Sequence, residues 1–256
     1  MIPLKDYNPT RRFAVMTLVL IAINVGVYIF VQRPFDAGNN QDAFSFQVAA
    51  IPCEVTQGRP LSSEEIFDTV RNGDDTACEH TRQPDAVFPH KSVWLAVLYS
   101  MFLHGSWLHI GGNMLFLWIF GNNIEDRMGV LPYLGFYLMA GLVAAAAHIL
   151  VQPDSTVPVV GASGAIAGVM GAYVVLFPNV KIRSLIIITI IPLFRDISAK
   201  WWLGFWFLTQ FFTNPAEGVA WVAHVGGFLF GALVAFLLRD RLRPSRVLVA
   251  DPRLSY

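Results

Sequence analysis

Apolar residues in this chain are gathered into long runs. Six of them, at roughly 13–32, 107–124, 131–151, 161–177, 199–213 and 221–238, approach the length of a membrane span. A helix needs about 20 mostly apolar residues to cross the hydrocarbon of a bilayer, and runs of this kind must be buried in lipid or in one another. Composition favours lipid. Hydrophobic residues make up 55% of the 256 and charged residues only 14%, with 20 Phe and a mean hydropathy of +0.52. An ordinary soluble domain is about a quarter charged, so this chain has too little polar surface to cover a water-soluble globule. The spacing predicts an all-α, polytopic membrane bundle of six transmembrane helices, with a long polar loop between the first and second.

The first run follows Lys5, Arg11 and Arg12, as a secretion signal would. No small-x-small cleavage site ends it and further runs follow, so it is read as a retained helix. The fourth and fifth runs are short for a span. Two more, Val93–Leu103 and Leu185–Phe194, have about 11 residues each, a length typical of interfacial or re-entrant segments. Counting Leu185–Phe194 as a span would put Ser163 and His224 on opposite sides of the membrane.

Loop charge decides between these counts. With six spans and the N-terminus inside, the cytoplasmic segments hold 13 of the 18 basic residues, whereas the loop from Arg33 to Lys91 holds five basic residues against ten acidic ones. The positive-inside rule then places both termini in the cytoplasm and the acidic loop outside. The expected organisation is a cytoplasmic N-terminus over 1–12, a membrane domain over 13–238 containing an extracytoplasmic insert at 33–92, and a basic cytoplasmic tail over 239–256, set in a cell (cytoplasmic or inner) membrane. No separate soluble domain is expected at either end. The formal net charge is zero, so no overall field favours nucleic acid. The two cysteines, Cys53 and Cys78, share the outer loop; an oxidising compartment would let them close a loop of about 25 residues, or they stand as two separate thiols.

Polar and ionisable groups within spans are costly and mark function. His104, His109 and Asn113 fall at or just inside the start of the second run. Ser163 lies two residues into the fourth, within Gly161-Ala-Ser163-Gly164, and His224 about three residues into the sixth. These three runs point the same way, so all five groups share one depth near the outer face. Taken alone, a membrane serine bonds its own backbone or a neighbouring helix, and His148, in an Ala-rich run, simply bridges helices. His104 and His109 suggest a metal, but there is no HExxH and no acidic residue at these span ends to complete the ligands. No metal or other cofactor is expected. Gly161, Gly164, Gly168 and Gly171 recur at three- and four-residue steps, and Gly227 and Gly231 form a small-xxx-small face. Such faces let two helices approach backbone to backbone, which would bring Ser163 within reach of a base at His224. A soluble nucleophile elbow is excluded, because residue 165 is Ala and membrane spans leave no sheet to hold it.

Four strings resemble the rhomboid family of intramembrane serine proteases. They are His104-Gly-Ser-Trp-Leu-His109-Ile-Gly-Gly-Asn113, Glu125-Asp-Arg127-Met-Gly129, Gly161-Ala-Ser163-Gly164, and Ala223-His224-Val-Gly-Gly227-Phe-Leu-Phe-Gly231. They occur in order between about residues 93 and 238. The resemblance implies that Ser163 attacks the substrate carbonyl and His224 takes its proton, as a dyad. The oxyanion would be held by the Ser163 N–H and the side chains of His109 and Asn113. His104, Gly161, Gly164, Gly227 and Gly231 would support this arrangement, and Glu125 and Arg127 would be structural. It also implies membrane-protein substrates whose transmembrane segments contain helix-weakening residues, and a lipid bilayer as the medium. Two positions depart from patterns common in the family: Ala167 stands where some members stack a Tyr on the catalytic His, and Trp94-Leu95 where many carry Trp-Arg. Two other classes compete. A non-catalytic relative that binds membrane helices would be expected to lack the Ser or the His. A small-molecule transporter would place its ionisable groups near the midplane rather than toward one face.

Overall fold

The computed structural model describes residues 1–36, 41–79, 85–188, 191–213 and 220–242, so the expected basic tail beyond Leu242, with Arg243, Arg246 and Arg253, lies outside the described residues. Each of the six apolar runs is helical. The first is α1 (Val15–Gly26), prolonged by a wider turn over Val27–Gln32. The polar insert carries α2 (Gln41–Val48), α3 (Pro52–Gln57) and α4 (Ser63–Phe67), and α5 (Val93–Ser100) leads out of it. The second run is α6 (Trp107–Phe116), which continues without a break through Leu117–Gly121 and Asn122–Met128. The remaining runs are α7 (Val130–Val151), α8 (Ser163–Leu176), α9 (Ala199–Gln210) and α10 (Trp221–Leu237). Two helices, Val15–Gln32 and Val130–Val151, are long and apolar enough to cross a membrane by length and composition; α8 and α10 are shorter apolar helices. Phe30, Leu108, Leu131, Leu150 and Phe212 each leave at least 75% of their surface open. Lipid suits such an apolar exterior and water does not.

Helix α8 runs through the middle of the bundle, with every residue from Gly164 to Tyr173 buried. Its small residues are the reason it can sit there. A side chain begun at Gly227 would strike the carbonyl oxygen of Gly164, one at Gly231 that of Gly168, and one at Gly171 that of Phe228. The backbones of α8 and α10 therefore touch along a glycine seam. On the other side, Ala144 and Ala140 of α7 press against Gly164 and Gly168.

At the far end of α8 the Glu125 carboxylate accepts hydrogen bonds from the Met16 N–H, the Thr17 N–H and the Thr17 hydroxyl, each at 2.8 Å. It thereby caps the N-terminus of α1, where an anion is favoured. Asp126 accepts from the N–H groups of Arg11 and Arg12, and the Arg127 guanidinium lies over the Phe177 ring at 5.4 Å.

The chain is mostly helical but not all-α, which corrects the expected architecture. Strands β1 (Ile2–Asp6), β2 (Lys181–Ile188) and β3 (Ile191–Ser198) form an antiparallel sheet in that order, with Leu185 opposite Phe194 and Arg183 opposite Asp196. Leu185–Ile188 and Ile191–Phe194 are thus paired antiparallel strands rather than a re-entrant segment. Their Ile-rich, β-branched run favours strand, and Pro192 cannot continue a helix. Asp6 joins the sheet to the bundle by accepting from the Tyr173 hydroxyl at 2.6 Å and Asn123 Nδ2 at 2.8 Å. Burial pushes its carboxyl above the usual range despite these bonds.

The insert is folded around its own small core of Phe46, Ile51, Cys53 and Leu61. Cys53 and Cys78 are joined by a disulfide with Cα atoms 5.8 Å apart. Arg59 grips both carboxylate oxygens of Glu65 at 2.8 Å, and Lys91 pairs with Glu54 at 2.5 Å, each side chain only 2% exposed. Burial pushes Glu54 above and Lys91 below their ordinary ranges. Removing one partner of such a pair strands the other charge, whereas removing both does not. Lys91→Met is therefore expected to destabilise the insert by about 3–5 kcal/mol, and the double replacement Glu54→Leu with Lys91→Met by much less. Limited proteolysis of the insert against denaturant measures both.

Candidate active site

Ser163 is the first residue of α8 and His224 lies one turn into α10. Across the glycine seam His224 Nε2 stands 2.8 Å from Ser163 Oγ, a distance at which the serine hydroxyl donates to an unprotonated ring nitrogen. Both side chains are half-buried. As the first helical residue, Ser163 has an N–H with no carbonyl one turn back to accept from it, and it sits at the positive end of the helix.

The turn leading into α8 places the other groups. Gly161 has φ +129°, a conformation that L side chains rarely adopt, and its N–H donates to the Ser100 carbonyl at 2.9 Å. His109 packs directly on it: a Cβ there would lie 2.9 Å from His109 Nε2 and 3.5 Å from Ser163 Oγ. The Gly105 N–H donates to His109 Nδ1 at 3.3 Å. With Nδ1 accepting, the proton of a neutral ring resides on Nε2, which faces the serine. Asn113, one turn further along α6, is 8% exposed, and its Nδ2 has no hydrogen-bond partner among the described residues. His104 is fully buried, edge-on to His109 at 5.2 Å between ring centres. Its backbone is clamped by Gln32, which donates to the His104 carbonyl at 2.6 Å and accepts from its N–H at 3.0 Å.

These groups open onto a cavity of about 980 Å³. Ser163, His109, Asn113 and His224 form its floor, and Asp75, Thr76, Asp154 and Ser155 contribute polar wall. His148 also lines it, so this histidine belongs to the site rather than to a remote helix contact. The insert reaches the site through the segment before Gly161. Cys53 N–H donates to the Ser155 carbonyl at 2.9 Å, Thr156 N–H to the Asp75 carbonyl at 2.9 Å, and Val159 N–H to the Ala50 carbonyl at 2.8 Å. Among the described residues, the side chains grouped closely enough to hold a metal are Cys53, Glu65 and Cys78, and both sulfurs there are consumed by the disulfide.

Two residues of α9 reach His224 that the sequence did not single out. Gln210 Oε1 lies 2.7 Å from His224 Nδ1, and the Trp206 ring lies 5.9 Å from the imidazole, tilted by 39°. Ala167, where some family members carry a Tyr, is fully buried. A signal existed. Gln210 is an amide inside an apolar run, which is costly unless partnered, and the expected helix parity puts the C-terminal end of the fifth run at the same face as Ser163 and His224. Weighing only the N-terminal ends of the second, fourth and sixth runs passes it over.

Residues 91–241 match the family model of the rhomboid domain. The chain is 27% identical over 162 residues to the mitochondrial rhomboid protein 1 of Saccharomyces cerevisiae, an alignment covering 59% of this chain and 44% of that protein. It is 29% identical over 148 residues to the chloroplastic rhomboid-like protein 11 of Arabidopsis thaliana, covering 57% and 52%. It is 32% identical over 146 residues to the rhomboid protease GluP of Bacillus subtilis, covering 57% and 26%. The chain thus spans about half or less of the length of these curated relatives.

The close seat of His109 on Gly161 gives a direct test of the turn. Gly161→Ala adds a strained φ, worth about 1–3 kcal/mol, and a methyl group against the imidazole. It is expected to lower the thermal unfolding midpoint in detergent, with the larger Gly161→Val lowering it further.

Proposed function

The chain belongs to the rhomboid family and is a helical membrane protein, and from that premise we propose that it is an intramembrane serine endopeptidase. The observation that carries the reading is the 2.8 Å approach of Ser163 Oγ to His224 Nε2 from helices 61 residues apart in sequence. Ser163 Oγ attacks the scissile carbonyl as its proton passes to His224, forming a tetrahedral intermediate with a new bond from the carbonyl carbon to Oγ and an oxyanion. The Ser163 N–H, His109 Nε2–H and Asn113 Nδ2 are the donors for that oxyanion. An amide that is buried and unpartnered at rest costs little to engage at the moment of charge development. The tetrahedral centre collapses by breaking the C–N bond, which leaves the acyl group as an ester on Ser163 Oγ, and the His224 proton goes to the leaving amine. Water from the cavity then hydrolyses the acyl ester by the same route in reverse roles.

The polypeptide cut is a membrane segment of another protein. A membrane helix hides its carbonyls in internal hydrogen bonds, so cleavage requires a stretch that unwinds near the cavity, which favours helix-weakening residues. In this reading the chain crosses a cytoplasmic membrane six times with both termini inside, and the insert and cavity face outside. Purified protein in liposomes is expected to cleave a model membrane substrate carrying such residues, and Ser163→Ala to abolish it. Cleavage surviving in that variant would refute the assignment. A relative that only binds membrane helices would show no labelling of Ser163 by a fluorophosphonate. Asn113→Ala is expected to lower kcat by about 10²–10³, the usual cost of one oxyanion donor, with KM little changed.

A further inference from the structure

We propose that Gln210 is the positioning residue of this site, holding His224 in the one tautomer and orientation that can accept the serine proton. The inference rests on the reading of Ser163 and His224 as nucleophile and base. Neutral imidazole carries one proton, and the partner of one nitrogen decides which nitrogen bears it. His224 Nε2 faces Ser163 at 2.8 Å and Nδ1 faces Gln210 at 2.7 Å. A base requires the proton on Nδ1, so the group facing Nδ1 must be an acceptor.

The surroundings of the Gln210 amide fix it as one. Its Nε2 donates to the Trp206 carbonyl at 3.0 Å and to Thr209 Oγ1 at 3.4 Å. The Thr209 hydroxyl spends its own proton on the same carbonyl at 2.6 Å, so it is left as an acceptor. Turning the amide over would set Oε1 against a carbonyl oxygen and leave both amide protons facing the ring. The amide nitrogen is therefore committed to the α9 backbone, and Oε1 is left to receive the Nδ1 proton. Gln210 itself is only 6% exposed, so water does not compete for this bond. Trp206 completes the seat from the same helix, its ring 5.9 Å from the His224 imidazole.

The amide also suits its medium. Among the described residues, the two hydrogen-bond partners of the ring, Ser163 and Gln210, are both neutral, and the titratable side chains that act on it electrostatically are the imidazoles of His109 and His148. A carboxylate in this place would orient the ring equally well, but an ionised side chain within the membrane is costly. A glutamine supplies the acceptor without the charge.

The test compares Gln210→Leu with Gln210→Glu in the full-length protein, reading kcat, KM and the rate of fluorophosphonate labelling of Ser163 against pH. Gln210→Leu removes the acceptor and lets the ring adopt the unproductive tautomer. It is expected to lower kcat and the labelling rate by about ten- to a hundredfold, at the lower end of what a positioned base contributes, with KM changed by less than about twofold. Gln210→Glu keeps the acceptor and is expected to retain most of the activity. Its acidic limb should move to higher pH, because an adjacent carboxylate stabilises the imidazolium. Wild-type kcat and labelling in Gln210→Leu would overturn the role while leaving the protease reading intact. Equal losses in both variants with an unmoved pH profile would reduce Gln210 to a packing residue and also overturn it. Failure of the wild-type Ser163 to label or cleave would overturn the nucleophile assignment, and this role with it.

Discussion

The close contact between α8 and α10 is the constraint on which the rest depends. Two membrane helices carrying ordinary side chains pack with axes about 8–10 Å apart, and nothing in lipid draws them closer except contact itself. Here Gly227 faces the Gly164 carbonyl and Gly231 the Gly168 carbonyl with no side chain between. Ser163 immediately precedes the first contact on one helix, and His224 lies three residues before it on the other. Any residue larger than glycine at position 227 would spread the helices at the level of the reacting pair. The seam is thus the means by which a short serine side chain meets an imidazole.

The two histidines at the floor of the cavity have the same side chain but face it with opposite chemistry. His109 accepts the Gly105 N–H at Nδ1, so it presents Nε2–H to the site. His224 meets an amide oxygen at Nδ1, so it presents a lone pair. In the proposed mechanism one local bond, on the nitrogen that faces away from the serine, would separate an oxyanion donor from a base. Neither ring needs a nearby charge for this, which matters where charges are costly. Both second partners come from fixed structure: one from the loop before α6, the other from the C-terminal turn of α9.

How much of this was legible in the sequence follows from where each signal is written. Apolar run length marks helices directly, and all six runs are helical. The polar residues at the N-terminal ends of the second, fourth and sixth runs converge because helix parity sets their depth. Glycine steps disclose the seam, since small residues at three- and four-residue spacing have few other uses in a membrane. The strand pair of 181–188 and 191–198 was not legible from run length, because an apolar stretch of about ten residues fits strand, interfacial helix and loop alike. Its register depends on pairing with β1, whose residues are nearly 180 positions away. Gln210 was hidden for a different reason. Its role depends on which way its amide faces, and that is decided by the Trp206 carbonyl and Thr209, a tertiary detail of one helical turn.

The insert shows why a polar segment belongs beside a bundle built for lipid. Helix α8 has 14 residues, about 21 Å at 1.5 Å per residue, against a hydrocarbon core of about 30 Å. A helix that short cannot fill the depth of the membrane, so its N-terminus and Ser163 end below a hollow. Lipid filling that hollow would exclude the water that the proposed hydrolysis consumes. The insert ties Cys53, Asp75 and Ala50 to the segment 155–159, and its Asp75 and Thr76 line the cavity together with Asp154 and Ser155 of that connecting segment, a polar wall that would keep lipid out. The disulfide and the buried Glu54–Lys91 pair hold that wall in shape from behind. The residues before 91 lie outside the matched rhomboid domain, yet Asp75 and Thr76 among them line the cavity beside Ser163. A short central helix and a rigid polar wall are two halves of one solution: the first creates the hollow, and the second keeps it open to water.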